Sequence, residues 1–241
     1  MPPGHPQPDS IEPPYAAPPV YCRRSRMGRR VRQHVNPLAL RYTTARATPV
    51  ERPSHLGPDC PIDVELGCAD GQFSFQLAEA APERFVVGLE IREKVLEVNR
   101  RKVEAAGLRN LAFGYVNMDV DLDRVFEARS VDRFHILYPD PWFKNRHHKR
   151  RVVKLELCQT MARQLRPGGE LHFASDVYEV ALEALSELET PEVEALGFTN
   201  MAGEWSFWRG NPYPAASKRE DTTIRRGQRP WRIRYRYNPP T

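Results

Sequence analysis

The sequence lacks the features of a disulfide-stabilised, zinc-binding or membrane-spanning protein. Its four cysteines, Cys22, Cys60, Cys68 and Cys158, are scattered and form no CxxC pair, so we expect neither a disulfide framework nor a metal site. No stretch reaches the roughly 18 consecutive apolar residues of a membrane span, and the N-terminus has no signal-peptide core. We therefore expect a cytoplasmic protein that contacts no membrane.

Acidic residues are outnumbered as well. The 241 residues include 36 lysines and arginines against 31 aspartates and glutamates, which gives a net charge of +5. Because the basic residues cluster along the chain, this balance favours a polyanionic partner. The length fits one folded domain plus a tail.

Three regions are predicted along the chain. Residues 1–22 form a proline-rich tail that we expect to be disordered, because proline lacks a donor N–H and cannot build a core. Residues 23–58 form a basic arm and linker, in which Arg30 and Arg32 are candidates for contacts with RNA phosphates. Residues 59–241 form the main domain.

Strands and helices alternate from about residue 60. Strands are predicted at 61–66, 84–91, 111–116, 131–138, 170–175 and 231–237, and helices at 72–81, 93–107, 152–165 and 177–189. This alternation predicts an α/β fold with a mostly parallel sheet covered by helices on both faces. Ligands of such sheets bind beyond the carboxyl ends of the strands.

The first strand-to-helix turn lacks the glycine spacing of a dinucleotide site. Gly67 and Gly71 flank Cys68, Ala69 and Asp70, so the G-x-G-x-x-G fingerprint is absent and a nicotinamide cofactor is disfavoured. The acidic Glu65 just before the turn suits a cationic ligand. S-adenosylmethionine, whose sulfonium and amino groups are positive, fits this site better than a pyrophosphate.

Polar residues also end the next two predicted strands. Glu90 follows Gly71 by nineteen residues, where a carboxylate can accept both hydroxyls of a ribose. Asn117 and Asp119 follow the third strand and are candidates for the adenine or ribose side of the same cofactor.

The stretch "YPDPWFKNRHHKRR", residues 138–151, combines an acid, two aromatic rings and a basic run. Pro139 and Pro141 hold Asp140 in an extended conformation at the end of the fourth strand. Trp142 and Phe143 are candidates for base stacking. The candidates for phosphate contacts are Lys144, Arg146, Lys149, Arg150 and Arg151.

These motifs resemble those of the tRNA (guanine-N7-)-methyltransferases over roughly residues 23 to 238. Residues 139–151 match the family block PDPWxKxRHxKRR almost letter for letter, and residues 30–38 match an N-terminal RxRQHVNPL segment of some members. The family loop E-x-G-x-G-x-G is matched by Glu65, Gly67 and Gly71, with Ala69 in place of the middle glycine.

The resemblance implies a Rossmann-like class I S-adenosylmethionine-dependent methyltransferase with a seven-stranded sheet. It implies that Asp140 is the catalytic aspartate and that the cofactor contacts are Glu65, Glu90, Asp119 and Asp140. It implies substrate contacts at Lys144, Asp176, Ser217 and Glu220, where the family motif T-x-[FY]-E reads Ser-Lys-Arg-Glu and Arg219 replaces an aromatic ring. The implied substrate is tRNA, methylated at the variable-loop guanine at position 46.

Two other readings compete with this one. An adenine amino-group methyltransferase would carry two prolines after the acid of the fourth strand, whereas Asp140 is followed by one. An RNA-binding module that has lost catalysis would explain Ala69 and Arg219 as marks of decay. We expect a monomer or weak homodimer; a separate protein subunit is not predicted, although the sequence leaves that question open.

Overall fold

The computed structural model describes residues 35–141 and 152–240. The predicted tail, Arg30, Arg32 and residues 142–151 therefore lie outside the described residues. The strands are β1 (Ile62–Leu66), β2 (Phe85–Glu90), β3 (Leu111–Tyr115), β4 (Val131–Leu137), β5 (Leu165–Ser175), β6 (Phe198–Asn200) and β7 (Trp231–Tyr237). The α-helices are α1 (Leu40–Thr44), α2 (Gln72–Ala80), α3 (Glu93–Ala106), α4 (Leu155–Gln164), α5 (Tyr178–Leu188), α6 (Pro191–Glu194) and α7 (Lys218–Arg225).

The strands form one sheet in the order β3-β2-β1-β4-β5-β7-β6. The first five strands pair in parallel, and β7 pairs antiparallel with both β5 and β6. Every residue of β1 and β2 is buried, as expected for central strands of a sheet that is covered on both faces. The predicted α/β fold with seven strands is confirmed.

Some predicted boundaries are wrong, and four elements, α1, α6, β6 and α7, have no sequence prediction. Helix α4 begins at Leu155 rather than 152, because Lys154, its N-cap, has extended backbone dihedrals. Strand β5 begins at Leu165 rather than 170. The short β6 and the polar α7 carry too little apolar periodicity to be recognised.

The two faces of the sheet differ in chemistry. One face packs the larger apolar cluster, with α4 and α5 supplying residues such as Met161 and Leu185. The other face packs Phe73 and Leu77 of α2 against a smaller apolar cluster, and it buries charged and imidazole side chains of β1, β4, β5 and β7. Ligand-binding chemistry is therefore concentrated on the face that α2 covers.

Residues before β1 pack against the main domain. The Ala47 N–H donates a hydrogen bond to Asp121, and the Val50 N–H donates to the Val125 carbonyl at 3.2 Å. Ala47 is buried. The described part of the predicted linker is thus held to the domain near the end of β3.

Candidate functional site

The β1–α2 turn is a tight loop with three left-handed residues. Gly67 has φ +80°, Ala69 has φ +46° and Gly71, the N-cap of α2, has φ +77°. A Cβ at Gly71 would lie 2.7 Å from Phe113 Cζ, whereas a Cβ at Gly67 would have no atom within 4 Å. Glycine at 71 thus permits close packing inside the domain, and glycine at 67 leaves open space beside the loop.

Glu65 lies buried at the foot of this loop. Its carboxylate accepts a hydrogen bond from the Ser74 hydroxyl on α2. Burial raises the pKa of Glu65 to about 8, and the nearby charges of Asp70 and Glu90 add to the effect, against the opposing hydrogen bond from Ser74. A cation placed at the loop would favour the ionised form of this carboxyl group.

Glu90 ends β2 and is joined to the loop. The Ala69 N–H donates to Glu90 Oε2 at 3.2 Å, which brings the second strand end against the glycine turn. Arg92 holds the same carboxylate in a two-pronged contact, with Nε 3.0 Å from Oε1 and Nη2 2.6 Å from Oε2. The Glu90 carboxylate is therefore oriented from both sides.

Arg92 also connects this carboxylate to Asp140. Burial lowers the pKa of the Arg92 guanidinium, but the hydrogen bonds to Glu90 and the charges of Glu90 and Asp140 outweigh burial and raise it. Asp140 thus lies in the same electrostatic environment as Glu90. Glu65 and Glu90 thus lie at the glycine turn, and Asp140 follows β4, the strand that pairs with β1, close enough to Arg92 for its charge to act on that guanidinium.

Asn117 and Asp119 are engaged elsewhere. The Asn117 amide donates to the carbonyls of Pro37 and Tyr42, at 3.0 and 3.2 Å, and so fixes the segment that precedes the main domain. Asp119 forms an ion pair of 2.6 Å with Lys154. Asp119 and Lys154 both line a cavity of about 750 Å³ beside the end of β3.

The end of β4 is bent sharply. Tyr138 has φ +51°, a left-handed conformation that is strained for an aromatic residue, and its N–H donates to the Ala174 carbonyl at 2.7 Å. The chain therefore turns out of the sheet immediately before Pro139 and Asp140. The predicted rings and phosphate contacts, Trp142, Phe143, Lys144, Arg146, Lys149, Arg150 and Arg151, lie outside the described residues.

Asp176 follows β5 and binds Arg219, the residue that replaces the aromatic ring in the motif at residues 217–220, which we call the late motif. Arg219 Nε lies 2.7 Å from Asp176 Oδ2, and the Thr223 hydroxyl donates to the same oxygen at 3.3 Å. The arginine that replaces the family's aromatic ring thus pairs with a predicted substrate contact. Sequence reasoning treated Arg219 as a departure and did not foresee this pair.

Ser217 and Glu220 begin α7 and fasten it to the sheet. Ser217 is the N-cap, and its hydroxyl accepts from the Glu220 N–H at 3.2 Å. The Glu220 side chain is buried, pairs with the buried guanidinium of Arg232 on β7, and accepts from Asn211 at 3.1 Å. These two predicted substrate contacts therefore position α7 in the described structure.

Sequence reasoning also missed a buried polar row across β1, β4 and β5. His135 Nε2 lies 3.4 Å from Asp63 Oδ1, and its Nδ1 lies 3.4 Å from His172 Nδ1. Burial lowers the pKa of both imidazoles, and the Tyr213 ring packs on both at 4.7 and 4.8 Å between centroids. The signal was available, since polar residues at alternate positions of "VDRFHIL" and "ELHFAS" share one strand face.

No group of three or more histidine, cysteine, aspartate or glutamate side chains is arranged to hold a metal ion in residues 35–141 and 152–240. In the same part of the chain no helix is both long and apolar enough to cross a bilayer. Three of the cysteines, Cys60, Cys68 and Cys158, are buried free thiols.

Comparison with known proteins gives consistent matches. A family model described as "Putative methyltransferase" matches residues 59–233. The chain is 40% identical over 205 residues to the tRNA (guanine-N(7)-)-methyltransferase of Nostoc sp. strain PCC 7120, covering 83% of this chain and 90% of that protein. It is 36% identical over 211 residues to the protein of the same name from Microcystis aeruginosa, covering 86% and 97%. The solved structure of the 16S rRNA methyltransferase KamB shares the fold, with a TM-score of 0.55 and 18% identity over 81% of this chain and all of that one.

Proposed function

Because the chain belongs to the tRNA (guanine-N(7)-)-methyltransferase family, we propose that it transfers the methyl group of S-adenosylmethionine to N7 of a guanine in tRNA. The observation that supports the proposal is the position of Glu65, Glu90 and Asp140 at the carboxyl ends of β1, β2 and β4, which are neighbouring strands of a parallel sheet, with Glu90 bonded to the glycine turn. Ligands of open α/β sheets bind at this edge.

The described residues fit S-adenosylmethionine as the cofactor. Gly67 leaves open space where any larger side chain would project, and the carboxylates of Glu65 and Glu90 suit the positive groups and the ribose hydroxyls of this molecule. The residues that we propose to hold it are Glu65, Gly67, Gly71, Glu90, Asn117, Asp119 and Asp140. Asn117 and Asp119 would contact the cofactor from the end of β3. They would do so while Asn117 binds the segment before β1 and Asp119 binds Lys154.

The proposed reaction depends on placing guanine N7 against the methyl group of S-adenosylmethionine and does not need a strong base. S-adenosylmethionine, when bound, supplies an electrophilic methyl group on a sulfonium. Guanine N7 carries an in-plane lone pair and can attack without prior deprotonation, and positive charge then develops on the purine. The Asp140 carboxylate stabilises that charge and orients the base, while Arg92 and Glu90 keep the surrounding charges in fixed positions.

The proposed tRNA contacts extend from this centre over three parts of the chain. Lys144 and Asp176 would contact the target nucleotide, with Ser217 and Glu220 holding α7 beside it. The side chains that would hold phosphates are Arg146, Lys149, Arg150 and Arg151, together with Arg30 and Arg32 of the N-terminal arm. The domain formed by residues 59–241 would carry out catalysis. Binding through so many cations should weaken steeply with salt.

We propose the variable-loop guanine at position 46 as the target. The test uses the purified chain, methyl-labelled S-adenosylmethionine and two unmodified tRNA transcripts that differ only by guanine or adenine at this position. We expect label only in the guanine transcript, with cleavage chemistry locating 7-methylguanine there. Equal labelling of both transcripts would assign another guanine, and label in neither would contradict independent activity.

A further inference from the structure

The segment from α7 into β7 concentrates positive charge at the surface. Residues 218–232 contain six basic residues against two acidic ones. Three of the basic residues are paired: Lys218 lies 3.6 Å from Asp70, Arg219 pairs with Asp176, and Arg232 pairs with Glu220. The remaining three, Arg225, Arg226 and Arg229, are exposed, and we call them the arginine rim.

The acidic residues of this segment, Glu220 and Asp221, bind Arg232 and Gln72. In the described part of the chain none of the guanidinium groups of the arginine rim forms an ion pair with a carboxylate, and Arg225 Nε donates only to the Asp221 carbonyl, at 3.2 Å. A helix C-terminus favours a cation in its last turn, which accounts for Arg225. It does not account for Arg229, which lies four residues beyond that position.

Aromatic rings adjoin the rim. The Arg229 guanidinium carbon lies 4.2 Å from the centroid of the Trp231 ring, and the Trp231 ring lies 4.7 Å from that of Tyr178. Tyr178 is 44% exposed, an unusual exposure for a large ring beside other rings. Stacked rings and guanidinium planes next to phosphate-binding cations are the features on which single-stranded nucleic acids bind.

The rim lies at the same edge of the sheet as the proposed catalytic centre. Trp231 pairs with Ser175, the last residue of β5, and the next residue, Asp176, binds Arg219 at the start of α7. Helix α7, with eight residues, spans about 12 Å. The rim is therefore about one helix length from the proposed substrate contact at Asp176.

We propose that the arginine rim, with Tyr178 and Trp231, is a second tRNA-binding surface that holds nucleotides flanking the target guanine. Arg225 and Arg226 contact phosphates, and Arg229 and the two rings hold one unstacked base. This inference rests on the proposed function, because it takes tRNA as the substrate. It adds residues of α5, α7 and β7 to the tRNA contacts proposed above.

The first test removes the two phosphate contacts together in Arg225→Ala/Arg226→Ala. The matched control is Arg101→Ala/Arg109→Ala, two exposed arginines on α3 and just before β3. We expect the rim variant to raise the KM for tRNA about tenfold at 0.1 M salt and to lower the slope of log affinity against log salt by about 1.4–1.8. The kcat, the KM for S-adenosylmethionine and the control variant should stay at wild-type values.

The second test compares Tyr178→Ala with Tyr178→Phe. The phenylalanine variant keeps the ring and should bind tRNA like the wild type, whereas the alanine variant should lose about fivefold or more in affinity, since stacking on one ring contributes about 1–3 kcal/mol. Thermal unfolding of each variant separates binding losses from unfolding.

The outcomes distinguish this inference from the proposed function. If the wild type methylates guanine N7 and the rim variant keeps the wild-type KM and salt slope, the rim proposal is wrong and the function stands. If the wild type binds tRNA without methylating it, a reduced salt slope in the rim variant still supports the rim. A loss of kcat with unchanged tRNA affinity would overturn the rim as a binding surface.

Discussion

Replacement of Ala69 by glycine should stabilise the protein. Ala69 has φ +46°, and a left-handed conformation costs an L-residue about 1–2 kcal/mol. Glycine would remove this cost but would lose about 0.5–1 kcal/mol through the greater freedom of the unfolded chain. The loop hydrogen bonds of Ala69, from its N–H to Glu90 and from Asn99 to its carbonyl, use backbone atoms and would remain. The midpoints of these two ranges leave an expected net gain of about 0.75 kcal/mol.

Thermal unfolding followed by circular dichroism measures this gain. In a domain of this size, 1 kcal/mol raises the Tm by about 2–4 °C, so Ala69→Gly should raise it by a few degrees or less. The control is Gly71→Ala, which should lower the Tm clearly because its Cβ would lie 2.7 Å from Phe113 Cζ at φ +77°. A lower Tm for Ala69→Gly would refute the reasoning, since it would mean that the methyl group makes contacts that outweigh the backbone cost.

Three further changes test the site. Asp140→Asn should reduce methyl transfer by about 10²-fold with little change in the Kd for tRNA; near-wild-type turnover would remove Asp140 from the chemistry. The pKa of Glu65 lies at about 8, above its ordinary 4.5, so its contribution to stability is complete below pH 4.5 and is lost as the pH rises to about 8. Glu65→Gln should therefore gain Tm relative to the wild type across this window, and a constant Tm difference from pH 5 to pH 8 would contradict the shift. Arg219→Tyr, which restores the family's aromatic ring, should cost less than about 1 kcal/mol because Arg219 is more than half exposed. It should lower the KM for tRNA by removing the ion pair of Asp176, which keeps its hydrogen bond from Thr223; an unchanged KM would argue against Asp176 as a substrate contact.

The fold could be predicted largely because the sheet imposes a strong pattern. The central strands β1 and β2 are buried on both faces. In the sequence β2 is a short apolar run and β1 alternates apolar and acidic residues, and each is followed by a helix of clear periodicity. Among the elements that were not predicted, β6 and α7 lack a clear apolar periodicity and are stabilised by contacts with other elements. Helix α7 is held by the Ser217 cap and the Glu220–Arg232 pair, and the second of these joins two elements.

The sequence predicts which residues belong to the candidate site, but it does not predict their contacts. The glycine turn, Glu65 and Glu90 follow from their positions at strand ends, and the structure brings them together. The partner of each polar side chain could not be predicted, because it depends on contacts between distant parts of the chain. Asn117 binds carbonyls 75 and 80 residues before it, and Asp176 binds an arginine 43 residues after it.

The late motif shows why residue identity alone does not assign a role. A serine followed three residues later by glutamate is the pattern of a helix capping box, in which the glutamate reaches back to the N-cap N–H. Here Ser217 caps α7, but the Glu220 side chain does not return to the N-cap and pairs instead with Arg232 on β7. Because β7 also begins beside Asp176, the buried pair fixes the start of α7 against the sheet edge. The buried carboxylate of Glu220 therefore sets the orientation of α7. It directs Arg219 toward Asp176 at the start of the helix and places the arginine rim at its other end.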